Sequence, residues 1–89
     1  RLLGNYPNPF NPETNIMLTV DKESTLNLKI HSLSGALVRE VFLGKFQSGT
    51  YKINWDGKDQ LSNTVPSGVY IYRFEAGFHS QVGKMTLLK

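Results

Sequence analysis

Hydrophobic and polar positions alternate along much of this chain with a period of two residues. Between Ser67 and Ala76, Tyr70, Tyr72, Phe74 and Ala76 fall on one side of the period, and Val69, Ile71, Arg73 and Glu75 on the other. Aromatic and β-branched residues in such alternation predict a half-buried strand. The first side is the core face, because it holds the large rings while the second ends in two charges. Pro66 and Gly68 turn the chain into this strand, the one by fixing φ and the other by tolerating φ > 0. Tyr70, just past the turn, either fills the core or bends its hydroxyl back to the backbone as a tyrosine corner.

The same period recurs upstream. Asn15–Val20 sets Ile16, Leu18 and Val20 against Met17 and Thr19, and Thr25–Leu33 sets Leu26, Leu28 and Ile30 against Asn27, Lys29 and His31. Ser34-Gly35 predicts a tight turn, after which Ala36–Leu43 returns as a strand. Its inward face is ambiguous, with Val38 and Phe42 competing against Leu37, Val41 and Leu43. Gly44–Gly49 reads as a loop with Phe46 as a partly buried plug. Thr50–Trp55 then places Tyr51, Ile53 and Trp55 together. Asp56–Thr64 is a long polar loop, Gly77 opens the last turn, and His79–Leu88 closes the chain with Gly83 as an expected bulge. The proline-rich lead-in, Arg1–Glu13, is extended or turn-rich, since proline lacks the amide donor and biases its predecessor away from helix. Tyr6 and Phe10 are its expected anchors. Six strands, and a seventh from the lead-in, predict an all-β fold: an immunoglobulin-like or fibronectin III-like antiparallel β-sandwich of about seven strands.

Composition narrows the chemistry. With 89 residues the chain is one small domain, of a size that buries roughly 60–65% of its unfolded surface, enough for a two-layer core but not for a deep cleft. It contains no cysteine, which removes disulfides, thiolate metal sites and cysteine nucleophiles. It begins at Arg1 and shows no apolar run of signal-peptide or membrane-spanning length, as expected of an excised module. Ten Lys and Arg against seven Asp and Glu give a net charge of +3, but the cations are interspersed with acids. Only Lys52 beside Tyr51 and Arg73 beside Tyr72 suggest a stacking platform, so no nucleic-acid partner is expected.

No catalytic constellation emerges. His31 lies on the polar side of a strand and His79 at a turn, and neither has a placed serine–acid pairing. Asp56 and Asp59 share one loop, yet a paired acid and base for glycoside hydrolysis needs a cleft. With Ser62 and Asn63 the same two aspartates are calcium candidates, although the regular ligand spacing and the bidentate Glu of an EF-hand loop are missing. Asp-Gly turn formation is the ordinary reading. Trp55 would suit sugar stacking, but its phase with Tyr51 and Ile53 favours burial. No enzyme activity, cofactor, metal or small-molecule substrate is expected.

The motifs nevertheless form an ordered set. Tyr6-Pro7-Asn8-Pro9-Phe10-Asn11-Pro12-Glu13-Thr14, Leu33-Ser34-Gly35 before Val38, Trp55-Asp56-Gly57, Ser67-Gly68-Val69-Tyr70 and Lys84-Met85-Thr86-Leu87-Leu88-Lys89 follow one another in the chain. In that order they resemble the C-terminal sorting domains of the type IX (Por) secretion system. They are also similar to the immunoglobulin-like domain of flagellar hook-capping proteins. The chain departs from the first family at Ser32 and Ala36, where an acid and a basic residue are usual.

The sorting resemblance implies a non-catalytic signal that takes an upstream passenger in the same chain through the periplasm and the outer-membrane translocon. The destination is the cell surface or the medium, with removal or exchange by a sortase-like peptidase. Carried over by position, the sorting-signal candidates are Gly68, Tyr70, Gly77, Lys84 and Lys89. Residues 1–5 would be a linker remnant and 6–89 the sorting domain. Two other readings stand beside it: an accessory module that spaces an extracellular enzyme or binds carbohydrate, and a structural assembly domain of the hook-capping kind.

Overall fold

A computed structural model describes residues 1–89, apart from the side chain of Phe42. The chain forms seven strands: β1 (Leu2–Tyr6), β2 (Thr14–Val20), β3 (Ser24–Ser32), β4 (Leu37–Phe46), β5 (Gly49–Trp55), β6 (Gly68–Ala76) and β7 (His79–Leu87). They make two antiparallel sheets, a three-stranded one ordered β1-β2-β5 and a four-stranded one ordered β4-β3-β6-β7. This is the expected β-sandwich. Because β4 lies beside β3 rather than β5, the arrangement is the fibronectin III-like one, not that of a constant-type immunoglobulin domain.

The core sits between the sheets and follows the two-residue period. Ile16, Leu18 and Val20 of β2 face Leu26, Leu28 and Ile30 of β3, with Tyr70, Tyr72 and Phe74 of β6 and Met85 and Leu87 of β7 beside them. Each such side chain contributes about 1.5–3 kcal/mol when fully removed from water. Trp55 closes one end of this layer together with Phe10 and Val65.

Three regions depart from the sequence reading, and each has an irregular ladder or a close contact behind it. The seventh strand expected from the lead-in is Leu2–Tyr6, which pairs with β2 and so takes in most of residues 1–5, the stretch also read as a linker remnant. The register shifts between Leu2 and Gly4, which breaks the alternation that would have revealed a strand. Beyond this shift Asn5 lies opposite Ile16 on the inner face and Tyr6 opposite Asn15 on the outer one. Tyr6 is therefore 72% exposed and anchors nothing, whereas Phe10 is buried as expected. β4 is longer than expected and runs through Gly44 to Phe46. Its pairing with β3 shifts twice, between Leu26 and Asn27 and between Ile30 and His31. Each bulge resets the phase, which is why no single period selects an inward face. Val38, Val41 and Leu43 pack on the core, Leu37 points outward, and Phe42 lies outside the described side chains. Phe46 is half-buried as expected, but at the end of a strand.

Gly83 is no bulge. β7 pairs with β6 without a shift, and Gly83 stands opposite Tyr72. A Cβ at Gly83 would lie 2.3 Å from the Tyr72 ring, so the glycine makes room for a buried aromatic that covers it. Gly83→Val should destabilise the domain by about 1–3 kcal/mol through overpacking. Urea denaturation of both forms checks this, with unchanged stability as the contrary result.

Candidate functional site

The five signal candidates all belong to the β6–β7 hairpin or its flanks. Gly68 lies opposite Leu87, Tyr70 opposite Met85, and Lys84 opposite Ile71. The hairpin turns at Gly77-Phe78, since Ala76 pairs with His79. Gly77 has φ 60° and Phe78 a negative φ, as in a type II′ turn, where glycine takes the first central position. Lys89 is tied to the opposite end, its amide donating to Ser67 Oγ at 2.9 Å. Gly68, Tyr70 and Lys89 thus cluster at one end, Gly77 lies about 25–30 Å away at strand rise, and Lys84 is exposed in between. The structure does not gather the five into one constellation.

Tyr70 is buried, and its hydrogen bond is local. Its hydroxyl donates to the Pro66 carbonyl at 2.6 Å, closing a tyrosine corner at the start of β6. Its ring meets Trp55 edge-on at 5.4 Å between centroids, and Trp55 meets Phe10 at 5.7 Å. The indole N–H of Trp55 donates to the Lys58 carbonyl at 3.0 Å. Burial without a charged partner pushes the phenols of Tyr70 and Tyr72 up from their ordinary value.

The lead-in is joined to the last strand. Phe10 pairs with Leu87 in parallel: its amide donates to the Thr86 carbonyl at 2.9 Å and its carbonyl accepts from the Leu88 amide at 3.0 Å. The Asn8 side-chain oxygen accepts from the Thr86 amide at 3.0 Å. The first and last motifs therefore form one structural unit. Trp55-Asp56-Gly57 belongs to it as well, because the Pro12 carbonyl would lie 2.7 Å from a Cβ at Gly57, whose φ is 75°. Sequence reasoning did not find this junction; residues 78 positions apart carry no local signal of contact.

The polar loop uses its carboxylates internally. Asp56 Oδ1 accepts from the Lys58 amide at 3.0 Å and faces the Arg39 guanidinium at 3.4 Å. Asp59 Oδ1 accepts from the amides of Leu61 and Asn63 at 3.0 and 2.9 Å. Both aspartates thus act as turn formers, and among the described residues no three His, Cys, Asp or Glu converge as metal ligands. Trp55 is 2% exposed, which removes it as a sugar platform. Tyr6 and Phe78 are exposed but at opposite ends of the sandwich, not in a row. His31 lies on the outer face between Leu37 and Ile71. His79 lines an open cleft of about 390 Å³ with Val20, Leu26 and Phe74. The turn that holds the departures Ser32 and Ala36 is closed by main-chain bonds, Ser32 N–H to Ala36 O and Gly35 N–H to Ser32 O, both at 2.9 Å.

A family model, the FlgD Ig-like domain, matches residues 10–78. The chain belongs to that family. This FlgD Ig-like match runs from Phe10, the lead-in anchor, to the tip of the β6–β7 hairpin and leaves β1 and β7 outside it. No curated protein sequence matches the chain.

Among solved structures, FlgD from P. aeruginosa is similar at TM-score 0.68 and 21% identity, over 83% of this chain and 58% of that one. Dimeric latent PorU from Porphyromonas gingivalis is similar at TM-score 0.80 and 17% identity, over 98% of this chain and 9% of its own. PorZ, described as an essential surface component of the type-IX secretion system of Porphyromonas gingivalis, is similar at TM-score 0.67 and 21% identity, over 96% and 11%. The chain thus spans under two thirds of each of these proteins, and what it shares with them at these identities is the fold.

Two measurements test the buried phenols. Tyr70→Phe should cost about 0.5–1.5 kcal/mol, the net worth of one hydrogen bond, read by chemical denaturation at neutral pH. Because both phenols sit above their ordinary value near 10, the unfolded chain ionises first on raising the pH. Stability should be complete below about pH 10 and fall as pH rises through the elevated folded values. Denaturation midpoints between pH 8 and 11.5 check this, with a shallower fall expected for Tyr72→Phe.

Proposed function

We propose that this FlgD-like immunoglobulin-type domain is a non-catalytic secretion and sorting module of the type IX system. It directs a passenger in the same chain through the outer-membrane translocon, and a sortase-like peptidase removes or exchanges it at the cell surface. The observation that carries this reading is the extent of the structural likeness. The family match stops at Phe78 and the FlgD likeness covers 83% of the chain, whereas the likeness to PorU and PorZ covers 98% and 96%. Both strands outside the family match therefore fall within a fold shared with a type-IX component. The order of the motifs, with Lys84–Lys89 last, supports the same reading.

The family match itself favours a second reading, a structural assembly domain of the hook-capping kind. The sorting reading puts Lys84 and Lys89 in the signal and the assembly reading does not, so the two separate experimentally. Removing the tail from Lys84 onward is unsuitable, because it deletes Met85 and Leu87, which are fully buried. Lys84→Glu with Lys89→Glu changes only exposed charges. A reporter fused to residues 1–89 should reach the surface or medium of a host with a type IX system. The double variant, equally folded by circular dichroism, should be exported at least tenfold less. Retention of the folded wild-type fusion in the periplasm overturns the sorting reading in favour of assembly.

A further inference from the structure

The edge of β7 is closed at one end by the lead-in; along the rest its outward backbone groups are unpaired among the described residues, although β1 lies alongside and its Leu2 amide donates to the Gln81 side chain. Thr86 uses both its N–H and its C=O on the lead-in, and the Leu88 amide does the same. These groups therefore point away from β6. Backbone groups alternate sides along an antiparallel strand, so those of Ser80, Val82 and Lys84 point the same way, while Gln81, Gly83 and Met85 bond to β6. No hydrogen bond to the backbone of Ser80, Val82 or Lys84 occurs from that side among the described residues. The opposite edge of this sheet is treated differently. There Gln60 covers β4, its amide donating to the Val38 carbonyl at 3.1 Å and its side chain accepting from the Glu40 amide at 2.9 Å.

The open stretch has a recognisable chemistry. Val82 is 55% exposed and lies opposite Arg73 on the outer face, and Lys84 lies on the same face two residues on. Among the described residues neither Arg73 nor Lys84 forms a salt bridge. A strand laid along β7 would set an apolar residue beside Val82 and, two positions along, an acid beside Lys84.

We propose that β7 is the docking edge through which the domain is captured: an extended segment of the export machinery, with an acidic and an apolar residue alternating on one face, adds as a strand along Ser80–Lys84. The lead-in at Thr86 and Leu88 sets the limit of that strand. This inference rests on the sorting reading and specifies how the signal is read: by backbone pairing as well as by charge. It also accounts for Lys84, which guards the edge against self-association while attracting an acidic partner.

The test is Val82→Pro beside Val82→Thr in the reporter fusion of residues 1–89, with amide hydrogen exchange on each folded protein. Proline is tolerated on an edge strand where its missing N–H faces solvent, so Val82→Pro should fold. In the wild type the amides of Ser80, Val82 and Lys84 should exchange fast, and those of Gly83, Met85, Thr86 and Leu88 slowly. Export should fall at least tenfold for Val82→Pro and stay within twofold for Val82→Thr. Equal export of wild type and Val82→Pro overturns strand addition and leaves sorting by charge. Failure of the wild-type fusion to export overturns the sorting reading itself. A Val82 amide as protected as that of Gly83, or a Val82→Pro domain that does not fold, overturns the open edge.

Discussion

Trp55 is the contact on which the architecture turns. It comes from the end of β5 in the smaller sheet, meets Tyr70 at the start of β6 in the larger one, and receives Phe10 from the lead-in. A large ring can hold three separate segments together because its buried area is large and tilted aromatic pairs add about 0.5–1.5 kcal/mol beyond area burial. Its N–H then anchors the polar loop through Lys58. The loop in turn delivers Gln60 to the edge of β4. One side chain thus links the two sheets, the loop between β5 and β6, and the lead-in that caps the last strand.

The domain manages its sheet edges unequally. Gln60 acts as a short pairing partner for β4, and the Asn8–Phe10 segment acts as one for the end of β7. Unpaired edges invite association with other chains, so leaving part of β7 open is a choice with consequences, and Lys84 stands in that stretch. Arg39 shows a related economy. The register Ile30–Arg39 turns it toward the interior at the open side between β4 and β5, where Asp56 meets it at 3.4 Å. The pair is part exposed, so its weight is that of a surface ion pair, up to about 1 kcal/mol.

Four of the five ordered motifs, all but Leu33-Ser34-Gly35, acquire one meaning from this geometry. Phe10 fills the end of the core, Pro12 sits against Gly57, the tyrosine corner sets the start of β6, and the terminal strand is clasped by Asn8 and Phe10. They are parts of a single junction that fastens the two termini of the domain to its core. β1 and β7 lie on neighbouring edges and meet where the Leu2 amide donates to the Gln81 side chain.

Period-two alternation was sufficient by itself to place β2, β3, β5 and β6 and their inward faces, because side-chain direction along an uninterrupted strand is a local property. Tyr70 was legible as a corner for the same reason: its partner lies four residues away. The closing strand was placed as well, and phase resets hid part of what remained. Bulges in β1 and β4 broke the alternation, so the strand expected from the lead-in could not be placed at Leu2–Tyr6 and the face of β4 stayed ambiguous. Gly83 looked like a defect because its reason, the Tyr72 ring, lies on another strand. Whether the cations, glycines and tyrosine near the chain end form one site, and which part of β7 remains open, was decided only by tertiary structure. Both depend on pairing between segments far apart in the chain, and a local pattern does not encode which distant backbone groups meet.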